Sequence, residues 1–206
     1  MPGKSKGPKA KKGDKAKSKG CIAKCSDKEF QKVISNFNIE GDLAYQKKVV
    51  KDLHKLYSTK SGKALLKSIS KSGKSLTIKA PAAGKGNAAG YKNPSDRFYN
   101  ADGTKGKGTD ATVYFDPDKK SLGGTEAWRQ RPPAVALGHE LIHADDAMYG
   151  RMPLGDGPNG SKAPNTTPNR EKRAVGLPPY DKGQTGAPYT ENSIRKEMGE
   201  PARPYY

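Results

Sequence analysis

The chain has 206 residues, with 39 lysines and arginines against 21 acidic residues and a formal charge of +18. This length suits one ordinary domain plus a tail. Two cysteines exclude a disulfide framework, and no apolar run approaches the roughly 20 residues of a membrane span.

Residues 1–20 hold eight lysines, one aspartate and no aromatic or branched apolar residue. Such a segment cannot bury enough surface to offset its ordering entropy, so residues 1–25 are expected to form a disordered basic tail and residues 26–206 the folded domain. The lysines are not followed by the apolar stretch of a secretory signal peptide, and a soluble product is expected. Cys21 and Cys25 lie at the edge of the tail with no histidine nearby, too few groups for a structural zinc site.

Phe30, Val33, Ile34 and Phe37 recur at helical spacing and predict a short helix from about Glu29. Asp42 is placed to cap a longer one, with Leu43, Val49, Val50, Leu53, Leu56 and Tyr57 on one face and Lys47, Lys48, Lys51 and Lys55 outward; His54 reads there as a surface or packing residue. Ser61–Ser70 predicts a third helix, closed by Gly73. Strands are expected at Leu76–Pro81 and Ala111–Pro117, while the glycine-, asparagine- and lysine-rich residues 82–108 and the stretch 118–131 read as loops.

Pro132 and Pro133 set the first turn of a helix over about Ala134–Met148. Inside it lies Leu137-Gly-His-Glu-Leu-Ile-His-Ala144. Histidines four residues apart share a helix face, so His139 and His143 can reach one cation, and Glu140 stands beside them as a proton acceptor for an attacking water. With three histidines and eight glutamates in the chain, a chance His-Glu-x-x-His is expected on the order of once in a thousand such chains. Residues 151–169 read as a loop or lid over the site, and a last helix is expected at Glu191–Met198.

A catalytic zinc site needs a third protein ligand. The only other histidine, His54, lies in the lysine-rich helix, so a carboxylate is expected, with Glu171 favoured over Glu191. Asp146 reads as a partner that orients an imidazole. Developing negative charge in the transition state also calls for a cation or hydroxyl, and Arg195, Tyr189, Tyr180, Tyr205 and Tyr206 are the candidates; Arg195 and Tyr206 are taken as the catalytic pair.

The ordered set formed by the motif, Glu171-Lys-Arg-Ala-Val-Gly-Leu177, Thr190-Glu-Asn-Ser-Ile-Arg195 and Gly199-Glu-Pro-Ala-Arg-Pro-Tyr-Tyr206 resembles the NleD-like zinc metallopeptidases, over roughly residues 40–206. The resemblance implies an α+β, zincin-like fold: a small sheet, N-terminal helices and an active-site helix. It also implies one Zn2+ and endopeptidase activity on proteins inside a target cell, reached by secretion or injection along a non-Sec route. Mitogen-activated protein kinases are among the substrates known for that family, and a monomer is expected. The lysine-rich tail departs from the family pattern and suggests docking on a delivery apparatus or chaperone. The competing reading is a basic nucleic-acid or polyanion-binding protein with a structural histidine pair; its support is the charge alone, since no aromatic-interleaved basic motif or zinc knuckle is present.

Overall fold

The computed structural model describes residues 28–158, 166–182 and 189–206. The expected tail and both cysteines lie outside them. The described chain is α+β. It begins with α1 (Lys28–Ile34), β1 (Phe37–Ile39), α2 (Leu43–Tyr57), α3 (Lys60–Lys71) and β2 (Leu76–Lys79). There follow β3 (Ala88–Tyr91), β4 (Ala111–Tyr114), α4 (Pro133–Met148), β5 (Asp156–Pro158), β6 (Thr166–Pro168), α5 (Asn169–Val175) and α6 (Glu191–Glu197).

Local chemistry explains the helix starts. Asp42 accepts from the backbone N–H of Tyr45 at 2.8 Å and Thr59 from that of Gly62 at 3.0 Å, so α2 and α3 each begin at a side-chain cap. The apolar face of α2 is buried as its periodicity requires, through Val49, Leu53, Leu56 and Tyr57, and each such side chain contributes roughly 1.5–3 kcal/mol of transfer free energy. Leu43 departs from the expected face: at the first helical position it is 47% exposed. His54 lies at the surface, its ring edge-on to Phe30 with centroids 5.0 Å apart.

The main sheet has the order β1-β2-β4-β3, with β1, β2 and β4 parallel and β3 antiparallel at the edge. Two expectations are corrected here. Phe37 continues the helical spacing of α1 but starts β1, because it pairs with Leu76 and extends the sheet. Residues 82–108 are not all loop: Ala88-Ala-Gly-Tyr91 forms β3, held by pairing with β4 and not by β propensity. The stretch 118–131 also contains a short 3-10 turn at Ala127–Arg129, which buries Trp128.

Helix α4 runs through the centre of the molecule, with β3 and β4 on one side and α2, α3, α5 and α6 around the rest. Every residue from Ala134 to Met148 is buried, so the helix has no solvent face. Gly138 permits this crowding: a Cβ there would lie 3.0 Å from Ile194 Cδ1 and 3.1 Å from Leu56 Cδ2. The described part of residues 151–169 folds as the antiparallel pair β5 and β6 and leads directly into α5.

Candidate active site

The site is built on the middle of α4. His139 and His143, one turn apart, bring their Nε2 atoms to 3.2 Å, and Glu171 on α5 places Oε2 2.9 Å from His143 Nε2 and 3.3 Å from His139 Nε2. For ligand bonds of about 2.0–2.1 Å, a tetrahedral ion requires ligand atoms roughly 3.3–3.4 Å apart. The three separations are close to those edges, and three acceptor atoms converge on one point in a buried setting, an arrangement that suits a cation. His139, His143 and Glu171 therefore make a group able to hold a metal ion.

The third position is reached because α5 packs against α4, and Gly176, in the left-handed region at φ +83°, ends α5 and turns the chain back. Glu191 has a different place. Its Oε2 lies 2.8 Å from Nδ1 of His139, the nitrogen that faces away from the metal position, so it fixes the orientation of that ring. A capping box sets its position: Thr190 accepts from the N–H of Ser193 and Ser193 Oγ accepts from the N–H of Thr190, which puts Glu191 on the first turn of α6.

Asp146 does not touch an imidazole, contrary to expectation. It accepts from Arg151 Nε at 3.0 Å and lies 3.4 Å from Arg173 Nη2, while Asp145 pairs with Arg151 and accepts from Tyr189 Oη. Two carboxylates at a helix C-terminus oppose the helix dipole, and burial adds to the cost. The arginines offset that charge and tie α4 to α5 and to the start of α6, since Arg173 Nη1 also donates to the Tyr189 carbonyl at 3.1 Å.

Arg195 is fully buried behind Glu191, donating to its Oε1 at 2.7 Å and to the Pro201 carbonyl at 3.0 Å. It reaches the site only through Glu191, which corrects its assignment as an oxyanion group. Tyr189 is committed to Asp145, Tyr205 donates to Glu126 at 2.6 Å, and Tyr180 lies beside Lys172. Tyr206 does lie at the site, its ring stacked on His139 at 6.1 Å and 22°.

The sequence reading missed Arg203. Asn192 grips it by both backbone groups, donating to its carbonyl at 2.9 Å and accepting from its N–H at 2.7 Å. Its guanidinium lies 4.4 Å from the centre of the Tyr206 ring, with Nη1 3.4 Å from Glu191 Oε2. The available signal was its place three residues before Tyr206, which says nothing of the role until the chain is seen to cross His139.

Glu140 is buried beside the histidines, and its carboxylate forms no hydrogen bond or ion pair among the described residues. Burial alone would lower the His139 pKa, but the Glu171 and Glu191 carboxylates outweigh it and raise it to about 9. Burial likewise opposes ionisation of Glu171 and Glu191, yet hydrogen bonds to the imidazoles, and for Glu191 the charges of Arg203 and Arg131, hold both far below the usual carboxylate range. Burial and the neighbouring charges of Glu171 and Glu140 push the Tyr206 phenol up, so it remains a donor at neutral pH.

Among solved structures, the light chain of Clostridium botulinum neurotoxin serotype F is similar at 18% sequence identity and a TM-score of 0.47; the alignment covers 68% of this chain and 45% of that one. No curated protein sequence matches the chain. Residues 34–206 match the Peptidase_M91 family, described as effector protein. The motif, the carboxylate brought to it and the match over most of the chain meet in one conclusion: the protein belongs to the Peptidase_M91 family of effector peptidases.

Proposed function

We propose that the protein is a zinc-dependent endopeptidase that acts as a delivered effector on proteins inside a target cell. The observation that carries this reading is the convergence of His139, His143 and Glu171 at tetrahedral separations beside Glu140. When bound, zinc supplies a Lewis acid that polarises the scissile carbonyl and makes water acidic enough to attack near neutral pH. Glu140 takes the proton of the attacking water and returns it to the leaving amine. Glu191 holds His139 in the tautomer that offers Nε2 to the metal. Tyr206, stacked on the same imidazole, and Arg203, packed against the Tyr206 ring, meet the negative charge that develops on the carbonyl oxygen. Edge strand β3, paired on one side only among the described residues, offers backbone groups to an extended polypeptide.

Membership of an effector family supports delivery into a cell, and none of the described helices is long and apolar enough to cross a membrane. The test is metal content with activity. Purified protein is expected to carry about one zinc per chain and to lose cleavage of a denatured protein substrate on chelation, with recovery when zinc returns. Full activity in metal-free protein would contradict the reading.

A further inference from the structure

Among the described residues, every arginine but one reaches a carboxylate. Arg129 pairs with Glu126, Arg151 with Asp145 and Asp146, Arg173 with Asp146, Arg170 with Glu171, and Arg131, Arg195 and Arg203 with Glu191. The exception is Arg97. Its guanidinium lies 4.2 Å from the centre of the Phe98 ring and 4.8 Å from that of Tyr91, and its Nε is buried without a hydrogen-bond partner. Stacking on two rings fixes the plane of the guanidinium, and among the described residues no carboxylate neutralises it, so an anion presented to its terminal nitrogens would supply the missing counter-charge.

Its place gives this group a use. Tyr91 ends edge strand β3, and its phenol lies within the electrostatic reach of Glu140, Glu171, Arg97 and Arg170. Burial and the neighbouring charge of Arg170 both disfavour the charge on Arg97. Among the described residues, the carboxylate paired with Arg170 is Glu171, 3.4 Å away, whose other oxygen faces the two imidazoles. Arg97 ends the 3-10 turn Pro94–Arg97, which packs against α4, and feels the charge of Arg170, whose own carboxylate partner is turned to the metal position.

We propose that Arg97 and Arg170 form a subsite that binds an anionic side chain of the polypeptide substrate near the scissile bond. The inference rests on the peptidase reading and adds a substrate class to it: polypeptides with Asp, Glu or a phosphorylated residue at one fixed position relative to the cut. An incoming carboxylate or phosphate supplies the counter-ion that Arg97 lacks and relieves the repulsion between the two cations.

The test compares zinc-loaded wild type, R97Q/R170Q and a control, K47Q/K51Q, which removes two exposed charges from α2. Each is incubated with a proteome-derived peptide mixture spiked with phosphoserine peptides, and the cut sites are read by mass spectrometry. Wild type and control are expected to share an enrichment of anionic residues at one position, which R97Q/R170Q loses together with about tenfold in kcat/KM on acidic peptides, the scale of one charge-assisted hydrogen bond. The phosphoserine and Asp/Glu cuts show which anion is preferred. Cleavage without an anionic preference, or a preference that survives in R97Q/R170Q, overturns the subsite. If R97Q/R170Q does not fold, Arg170→Gln alone, whose side chain is 43% exposed, is held to the same outcomes. If wild type cuts nothing, the peptidase reading fails, and the subsite is decided by binding: a labelled peptide Ala-Ala-Glu-Glu-Ala-Ala must bind wild type more tightly than its Gln-Gln counterpart and lose that difference in R97Q/R170Q. Equal binding overturns it.

Discussion

Glu191→Gln tests how far fold stability and metal affinity depend on one buried carboxylate. The native carboxylate takes part in four contacts: 2.8 Å to His139 Nδ1, 2.7 Å to Arg195 Nε, 3.4 Å to Arg203 Nη1 and 3.6 Å to Arg131 Nη1. A glutamine oxygen can still accept from one of them, but three guanidiniums lose their shared counter-ion in a site that water does not reach, since Glu191 is fully buried. Breaking a buried ion pair by removing one partner costs about 3–5 kcal/mol, and in a chain of this size each kcal/mol lowers Tm by about 2–4 °C. The expected drop is therefore on the order of 6–20 °C. Because the imidazole also loses the charge that fixes its tautomer, zinc affinity is expected to fall about 10–100-fold. Thermal melts of metal-free protein and competition with a chromophoric chelator measure the two effects separately. A variant that melts within about 2 °C of wild type and keeps its zinc affinity would refute the assignment of Glu191 as the residue that orients His139.

Three further predictions follow from the same geometry. In metal-free protein the His139 pKa is raised to about 9, so its contribution to stability is fully present below the ordinary histidine pKa of about 6.5 and is lost as pH rises through about 9. Metal-free protein should then melt lower at pH 9.5 than at pH 6.5, and zinc binding near pH 7.5 should release about one proton from this site, read by calorimetry in buffers of different ionisation enthalpy. Gly176→Ala places a Cβ 2.6 Å from Thr190 Oγ1 at a φ of +83°, so a loss of about 2 kcal/mol or more in denaturant unfolding is expected, with zinc affinity reduced because Thr190 caps the helix that carries Glu191. Asn192→Ala removes both hydrogen bonds that hold the Arg203 backbone, and should lower kcat about tenfold or more while zinc content stays at one; unchanged kcat would show that the Arg203 and Tyr206 segment is not needed in that position.

The parts of the fold that were legible in the sequence were those fixed by local chemistry. Asp42 and the spacing from Val49 to Tyr57 define α2 because the cap immediately precedes the fifteen-residue helix that carries the buried face. Pro133 and the His-Glu-x-x-His run mark α4 for the same reason. Elements fixed by distant partners were harder to read. Ala88-Ala-Gly-Tyr91 has no strand signal of its own and is a strand because Tyr114, Val113, Thr112 and Ala111 pair with it. Phe37 fits a helix as well as a strand until Leu76 pairs with it.

The candidate site divides in the same way. The two imidazoles and Glu140 are one turn of one helix and are readable as such. Glu171 and Glu191 each lie near the start of a short helix, and nothing local distinguishes a carboxylate that faces Nε2 from one that faces Nδ1; that depends on how α5 and α6 pack on α4. Arg195 was misplaced because its spacing of four from Glu191 on α6 ties it to that carboxylate instead of to the cleft. The surplus of positive charge is dense in the tail, where residues 1–20 hold eight lysines, and also has a local expression in Arg97.

The central claim is that Glu140 moves protons for a reaction centred on His139, His143 and Glu171. It is tested most directly by the single-turnover rate of peptide-bond cleavage for wild type and Glu140→Gln at equal zinc content, on the same denatured protein substrate. The account predicts a fall of at least about a hundredfold, the lower end of what a positioned general base contributes, with zinc content and Tm unchanged. Cleavage at the wild-type rate by fully metallated Glu140→Gln protein would contradict it.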